Sequence, residues 1–104
     1  MTTAVTRLLG LGLRGGLVVV GVTGVRAKLG GRGRGLACVV LAADASARTM
    51  DKVARLARAR GVPLLRGPVA EQLGAGLGRP PVQAVGVEDG ALARGVVASI
   101  GGSE

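Results

Sequence analysis

The fold this sequence predicts is α/β, a three-layer α-β-α sandwich with a small four-stranded mixed sheet. Three observations lead there. Four short aliphatic runs, at 17–20, 36–41, 62–65 and 82–87, are each entered from a glycine or proline, the punctuation expected of strands. Segments with apolar residues at helical spacing lie between them, and alternating helix and strand is the pattern of an α/β architecture. The run Leu36 to Leu41 is apolar throughout, which marks a central strand covered on both faces. At 104 residues, 48% of them hydrophobic and 19% charged, the chain has room for one core and too much aliphatic content for disorder, so a single domain over 1–104 is expected. With 20 glycines and no aromatic residue, that core must be shallow and aliphatic, and stability modest.

Thr2 to Leu13 places Val5, Leu8, Leu9 and Gly12 on one side, a first helix that Arg14, Gly15 and Gly16 end. Leu17 to Val20 follows as a buried strand, because valines crowd a helical turn. A second helix runs from Gly21, Val22 and Thr23 to about Leu29, with Thr23 the candidate N-cap and Gly30 the stop. Gly30 to Gly35 is a flexible basic loop feeding the strand at Leu36 to Leu41. Asp44 or Ser46 caps a third helix, Ala47 to Arg60, on which Met50, Val53, Ala54 and Ala57 form the apolar stripe. Asp51 and Arg55 make a favourable i,i+4 pair, and Gly61 stands where a left-handed terminator belongs. Val62 to Leu65 is the third strand. After an Arg66-Gly67-Pro68 turn, Val69 to Leu77 forms a short helix ended by Gly78. Pro80-Pro81 restarts the chain extended, Val82 to Val87 is the fourth strand, and Asp89 caps a last helix carrying Leu92, Val96 and Ile100.

Charge narrows the function. Fourteen Lys and Arg against six Asp and Glu give +8 and an isoelectric point near 11.7, and a compact basic domain attracts polyanions. The charge is uneven: Met1 to Ala43 holds Arg7, Arg14, Arg26, Lys28, Arg32 and Arg34 with no acid. The absence of histidine and the single Cys38 leave no Cys/His zinc site, no His-activated nucleophile and no disulfide framework. Cys38 reads as a small buried apolar residue. Gly10-Leu11-Gly12-Leu13-Arg14-Gly15 matches G-x-G-x-x-G, but it follows a helical segment where a dinucleotide site needs a strand, and so many glycines produce such matches by chance. The carboxylates have simpler uses as caps and surface pairs, so neither catalysis, metal nor cofactor is expected; Asp44, just beyond the central strand, is the one acid placed where α/β sheets bind ligands. Arg7, Arg14 and four glycines interrupt the N-terminal apolar stretch, so neither a membrane span nor a signal peptide is expected, and the compartment is the cytoplasm. Without aromatic side chains there is no base-stacking platform, which favours structured RNA over single strands. The Gly-Arg loop offers backbone N–H groups with Arg32 and Arg34 beside them.

Several local motifs in their order resemble the kink-turn RNA-binding ribosomal protein family, the large-subunit proteins "seven Ae" and "thirty e", and most of all its small bacterial members. The likeness rests on Leu8 to Val20 with its Arg-Gly-Gly step, on Val20-Gly21 opening the second helix, and on Cys38-Val39-Val40-Leu41-Ala42-Ala43-Asp44-Ala45-Ser46, similar to a strand followed by "A-E-D-A-S". Gly61-Val62-Pro63 and Glu71-Gln72-Leu73-Gly74, similar to "E-E-L-G" and followed by Gly78, extend it to about Val97. The resemblance implies a non-enzymatic binder of ribosomal or other structured RNA, and a monomer is expected. Its RNA-facing residues would open the second helix, where the family has G-x-N-E-x-x-K, with Asn and Glu reading sheared G·A pairs. Here the segment is Gly21-Val22-Thr23-Gly24-Val25-Arg26-Ala27-Lys28: Thr23 takes the Asn position, Gly24 the Glu position, and Lys28 falls one residue late. A glycine has no acceptor for a guanine edge. Binding through the helix N-terminus, Arg26, Lys28, Arg32 and Arg34 needs none. The resemblance also implies that Pro68 and Val69 pack against an exposed nucleotide, although the same residues read equally as a structural turn. The alternative is a protein-interaction or assembly module that kept the fold and lost specific RNA readout, with a protein partner instead.

Overall fold

The aliphatic runs come together in one sheet whose strand order is β1-β4-β2-β3. In the computed structural model, which describes residues 2–31 and 35–101, the elements are α1 (Thr2–Arg14), β1 (Val18–Val20), α2 (Val22–Gly30), β2 (Cys38–Leu41), α3 (Ala47–Arg60), β3 (Leu64–Arg66), α4 (Ala70–Gly76), β4 (Ala84–Val87) and α5 (Gly90–Gly101). β2 pairs parallel with β3, while β4 lies antiparallel between β1 and β2. The sheet is mixed, as the sequence predicted, with β2 and β4 central and every residue of both buried.

Side chains of β2 alternate between two cores, as the pleat requires. Cys38 and Val40 enter a cluster with Val5 and Leu9 of α1, Leu73 of α4, and Ala93 and Val96 of α5. Val39 and Leu41 enter another with Val25 and Leu29 of α2 and Val53 and Ala57 of α3. Three helices therefore cover one face and two the other. With no aromatic to fill space, the helices close in on glycine. A Cβ on Gly12 would press on Val18 Cγ2 at 2.7 Å, and one on Gly10 would stand 3.0 Å from the Gly76 carbonyl across the α1–α4 contact. The G-x-G-x-x-G match is thus a packing feature of α1.

Several boundaries differ from expectation. Thr23 does not cap α2: the cap position is Gly21, at φ 99 and ψ 153, with no side-chain cap bond among the described residues. That backbone conformation is open to little but glycine. Gly30 is the last helical residue and Gly31 the C-cap. Of the two candidates for α3, Ser46 is the cap, its Oγ accepting the Thr49 N–H. Asp44 Oδ1 instead accepts the Ala70 N–H at the start of α4, at 2.7 Å. β3 begins after Pro63, which has no N–H to give a ladder, and the Val39 N–H bonds the Pro63 carbonyl at 3.0 Å. Gly61 is left-handed, at φ 67 and ψ 27, and Asp89 Oδ2 accepts the Leu92 N–H at 2.8 Å to cap α5, both as expected. Residues 32–34 of the Gly-Arg loop and the tail 102–104 lie outside the described residues.

Candidate nucleic-acid interface

β1, β2 and β3 all run opposite to β4, so their C-terminal ends share one edge of the sheet. The helices that follow them, α2, α3 and α4, all begin there. Backbone bonds knit this edge. The Gly21 N–H donates to the Ala84 carbonyl at 2.9 Å, Ala42 N–H to Gln83 at 2.9 Å, Ala43 N–H to Pro68 at 3.0 Å, and Gly67 N–H to Leu41 at 2.8 Å. The Gln83 side-chain oxygen accepts the Ser46 N–H at 3.3 Å. Gly21 to Gly24 and Pro68-Val69, far apart in sequence, therefore stand on one edge. Pro68 is buried and Val69 exposed.

The helices at this edge are finished differently. Ser46 caps α3 and Asp44 occupies the start of α4, whereas the N–H groups of Val22, Thr23 and Gly24 have no acceptor among the described residues. The first turn of α2 thus presents unsatisfied donors and the positive end of its dipole. Thr23 is exposed. Gly24 packs on β1: a Cβ there would meet Val19 Cγ1 at 2.7 Å. Because valine has little rotamer freedom to yield, the α2–β1 packing is itself built around a glycine, and a glutamate at this position would displace Val19.

The basic residues of the expected site do not all gather here. Lys28 sits in the last turn of α2, about 10 Å of helix from Gly21, and its Nζ pairs with Glu88 Oε2 at 3.1 Å beyond the far end of β4. Arg26 is exposed between the two ends. Arg32 and Arg34 lie outside the described residues, but the Gly31 carbonyl at the loop's start accepts from Arg60 Nη2 at 2.9 Å. Arg60 therefore joins Lys28 around a groove floored by Leu29 and Leu36. Two side chains at the Gly21 edge were not among the expected site residues, Arg48 in the first turn of α3 and Gln83. A basic residue two positions after a capping serine was the available signal for Arg48; none existed for Gln83, whose bond to Ser46 spans 37 positions.

Among the described residues no three His, Cys, Asp or Glu side chains cluster as metal ligands, and no helix is long and apolar enough to cross a membrane. The Cys38 thiol, fully buried, is pushed up to about 11 by desolvation.

Comparison with known proteins places this geometry. No curated protein matches the chain. Among solved structures, a protein of unknown function from Bacillus halodurans C superposes with a TM-score of 0.85 at 25% identity, over 93% of this chain and 96% of that one. The Giardia lamblia 15.5 kD RNA-binding protein shares the fold, with a TM-score of 0.70 at 20% identity over 93% of this chain and 82% of its own. The sequence model of the ribosomal protein L7Ae/L30e/S12e/Gadd45 family matches residues 3–95, and with nearly the whole chain covered and the sheet order and helix layers in place, the chain belongs to that family.

Proposed function

We propose that this chain is a non-enzymatic protein that binds structured RNA, ribosomal RNA included, and that it grips the phosphate backbone at the edge where α2 begins. Members of its family bind RNA and are in general not enzymes. The observation that carries the reading is the uncapped first turn of α2, beside an α3 and an α4 whose first turns are occupied. Three N–H groups at the positive end of a helix, without an acceptor among the described residues, suit a phosphate. Thr23 adds an exposed hydroxyl, and Val69 an exposed aliphatic surface for a nucleotide to rest on. Arg26 supplies charge along α2, Arg32 and Arg34 of the Gly-Arg loop a second contact, and Arg60 at the far end a further charge, with Lys28 once it leaves Glu88. Gly24 offers no carboxylate, so sequence is read through backbone shape.

Binding to a kink-turn RNA and to a straight duplex of equal length, followed across a salt series, tests this. A preference of tenfold or more for the kink-turn, about 1.4 kcal/mol, is expected if the edge reads bent backbone; equal binding that falls steeply with salt would reduce the protein to a general phosphate binder. Thr23→Glu, an acid in the first turn of α2, should weaken RNA binding at least tenfold while leaving the fold intact, since it complements the helix dipole. The competing reading as an assembly module has one observation in its favour, an exposed apolar groove along α5 lined by Ala37, Pro63, Ala93 and Val97. Failure to bind either RNA at low salt would leave that reading standing.

A further inference from the structure

We propose that the outward face of α3 is a second RNA contact, a phosphate-tracking stripe made by Arg48, Lys52, Arg55 and Arg58 that continues the grip beginning at α2; it rests on the RNA-binding reading above. The spacing i, i+4, i+7, i+10 puts the four side chains on one side of the helix, opposite Val53 and Ala57, which are buried on the sheet. All four are exposed. They extend about 15 Å along the axis, from the edge where α2 starts toward the end where Arg60 meets Gly31.

The stripe works against the free protein. α3 carries five basic residues and a single acid, Asp51. Arg48 with Lys52, Lys52 with Arg55, and Arg55 with Arg58 are like-charge neighbours at i,i+4 or i,i+3, an arrangement that destabilises a helix. Arg48 also stands in the first turn, which holds no acid, so it opposes the helix dipole. Asp51, the one acid and the i,i+3 neighbour of Arg48, spends its ion pair on Arg55, at 2.8 Å and with both side chains largely in solvent. Arg48, Lys52 and Arg58 have no ion pair among the described residues. A local rule broken without compensation among the described residues points to compensation from a partner. The compensating partner is a polyanion whose charges repeat along a line. An anionic membrane fits poorly, because the apolar side of α3 is spent on the core and nothing on the stripe can insert into lipid. α2 packs beside α3 in the same layer, so a backbone held at the α2 N-terminus runs onto the stripe.

The test compares the full chain with two triple variants on a structured RNA across a salt series. Arg48→Gln, Lys52→Gln and Arg58→Gln together should flatten the slope of log K against log salt by roughly 2 to 3, since each lost phosphate contact removes about 0.7 to 0.9. Affinity at physiological salt should fall at least tenfold. Arg7→Gln, Arg14→Gln and Arg94→Gln remove the same charge from the exposed surface of α1 and α5 and should change affinity less than twofold. Arg48→Glu alone should weaken RNA binding while raising the melting temperature, an opposition that a structural role for Arg48 would not produce. An unchanged slope in the α3 variant, or an equal loss in the α1/α5 variant, would overturn the stripe while leaving RNA binding intact. An unmutated chain that binds no RNA would remove both readings together. Binding of poly-glutamate but not RNA, lost in the α3 variant, would assign the stripe to an acidic protein and overturn its assignment to RNA.

Discussion

Gly74 shows at the level of one residue how a chain without aromatic side chains packs tightly. It is buried in α4, and a Cβ there would fall on the carbonyl of Pro80, while its own carbonyl accepts the Arg79 N–H at 2.9 Å. The segment that returns the chain to β4 therefore lies directly against helix backbone. Gly74→Ala is expected to destabilise by about 1–3 kcal/mol through overpacking, outweighing the roughly 1 kcal/mol that alanine gains over glycine in a helix. Urea denaturation measures it. Gly30→Ala, at the end of α2 where nothing stands within 4 Å of the added carbon, should be neutral or stabilising. The same logic explains what was unreadable at Gly24: the sequence displays a missing carboxylate, but only the fold reveals that Val19 already fills the space.

At the scale of elements, the sequence was a good guide to what each segment is and a poorer one to how its ends are held. The helices and strands follow from apolar period and glycine punctuation, and Ser46, Gly61 and Asp89 have the roles their types suggest because those bonds are local. Ser46→Ala should cost about 1 kcal/mol, within a range of roughly 0.5–2, read as a lowered denaturation midpoint. Asp44 was not legible. Its partner Ala70 is 26 positions away, so capping chemistry alone could only make it a rival to Ser46. Thr23 failed as a cap because the β1–α2 connection turns at Gly21 in a conformation that bonds the strand Ala84 instead. The expected interface was legible in the same measure. The Gly21 segment and the Pro68-Val69 turn share an edge for topological reasons, whereas Lys28 is drawn to Glu88 by a strand order that no local pattern encodes.

Across the whole molecule, Cys38 couples stability to pH. It lies in the central strand opposite Val87, with its thiol raised from 9.0 to about 11 by burial. Since the folded state keeps its proton where the unfolded chain releases it, unfolding becomes easier as pH rises from about 9 toward about 11, and the contribution is constant below that window. Denaturation at pH 8 and pH 10.5 should reveal a fall in stability that is smaller in Cys38→Ala, the comparison cancelling the titration of lysines. The strand order bears also on behaviour at high concentration. The two outer strands, β1 and β3, are three residues each, so each rim offers a neighbouring molecule only one or two unpaired ladder positions, and Arg66 closes one of them with a charge. Rims that short cannot template intermolecular sheet growth, so a strongly apolar pair of central strands is carried without an amyloid-like edge.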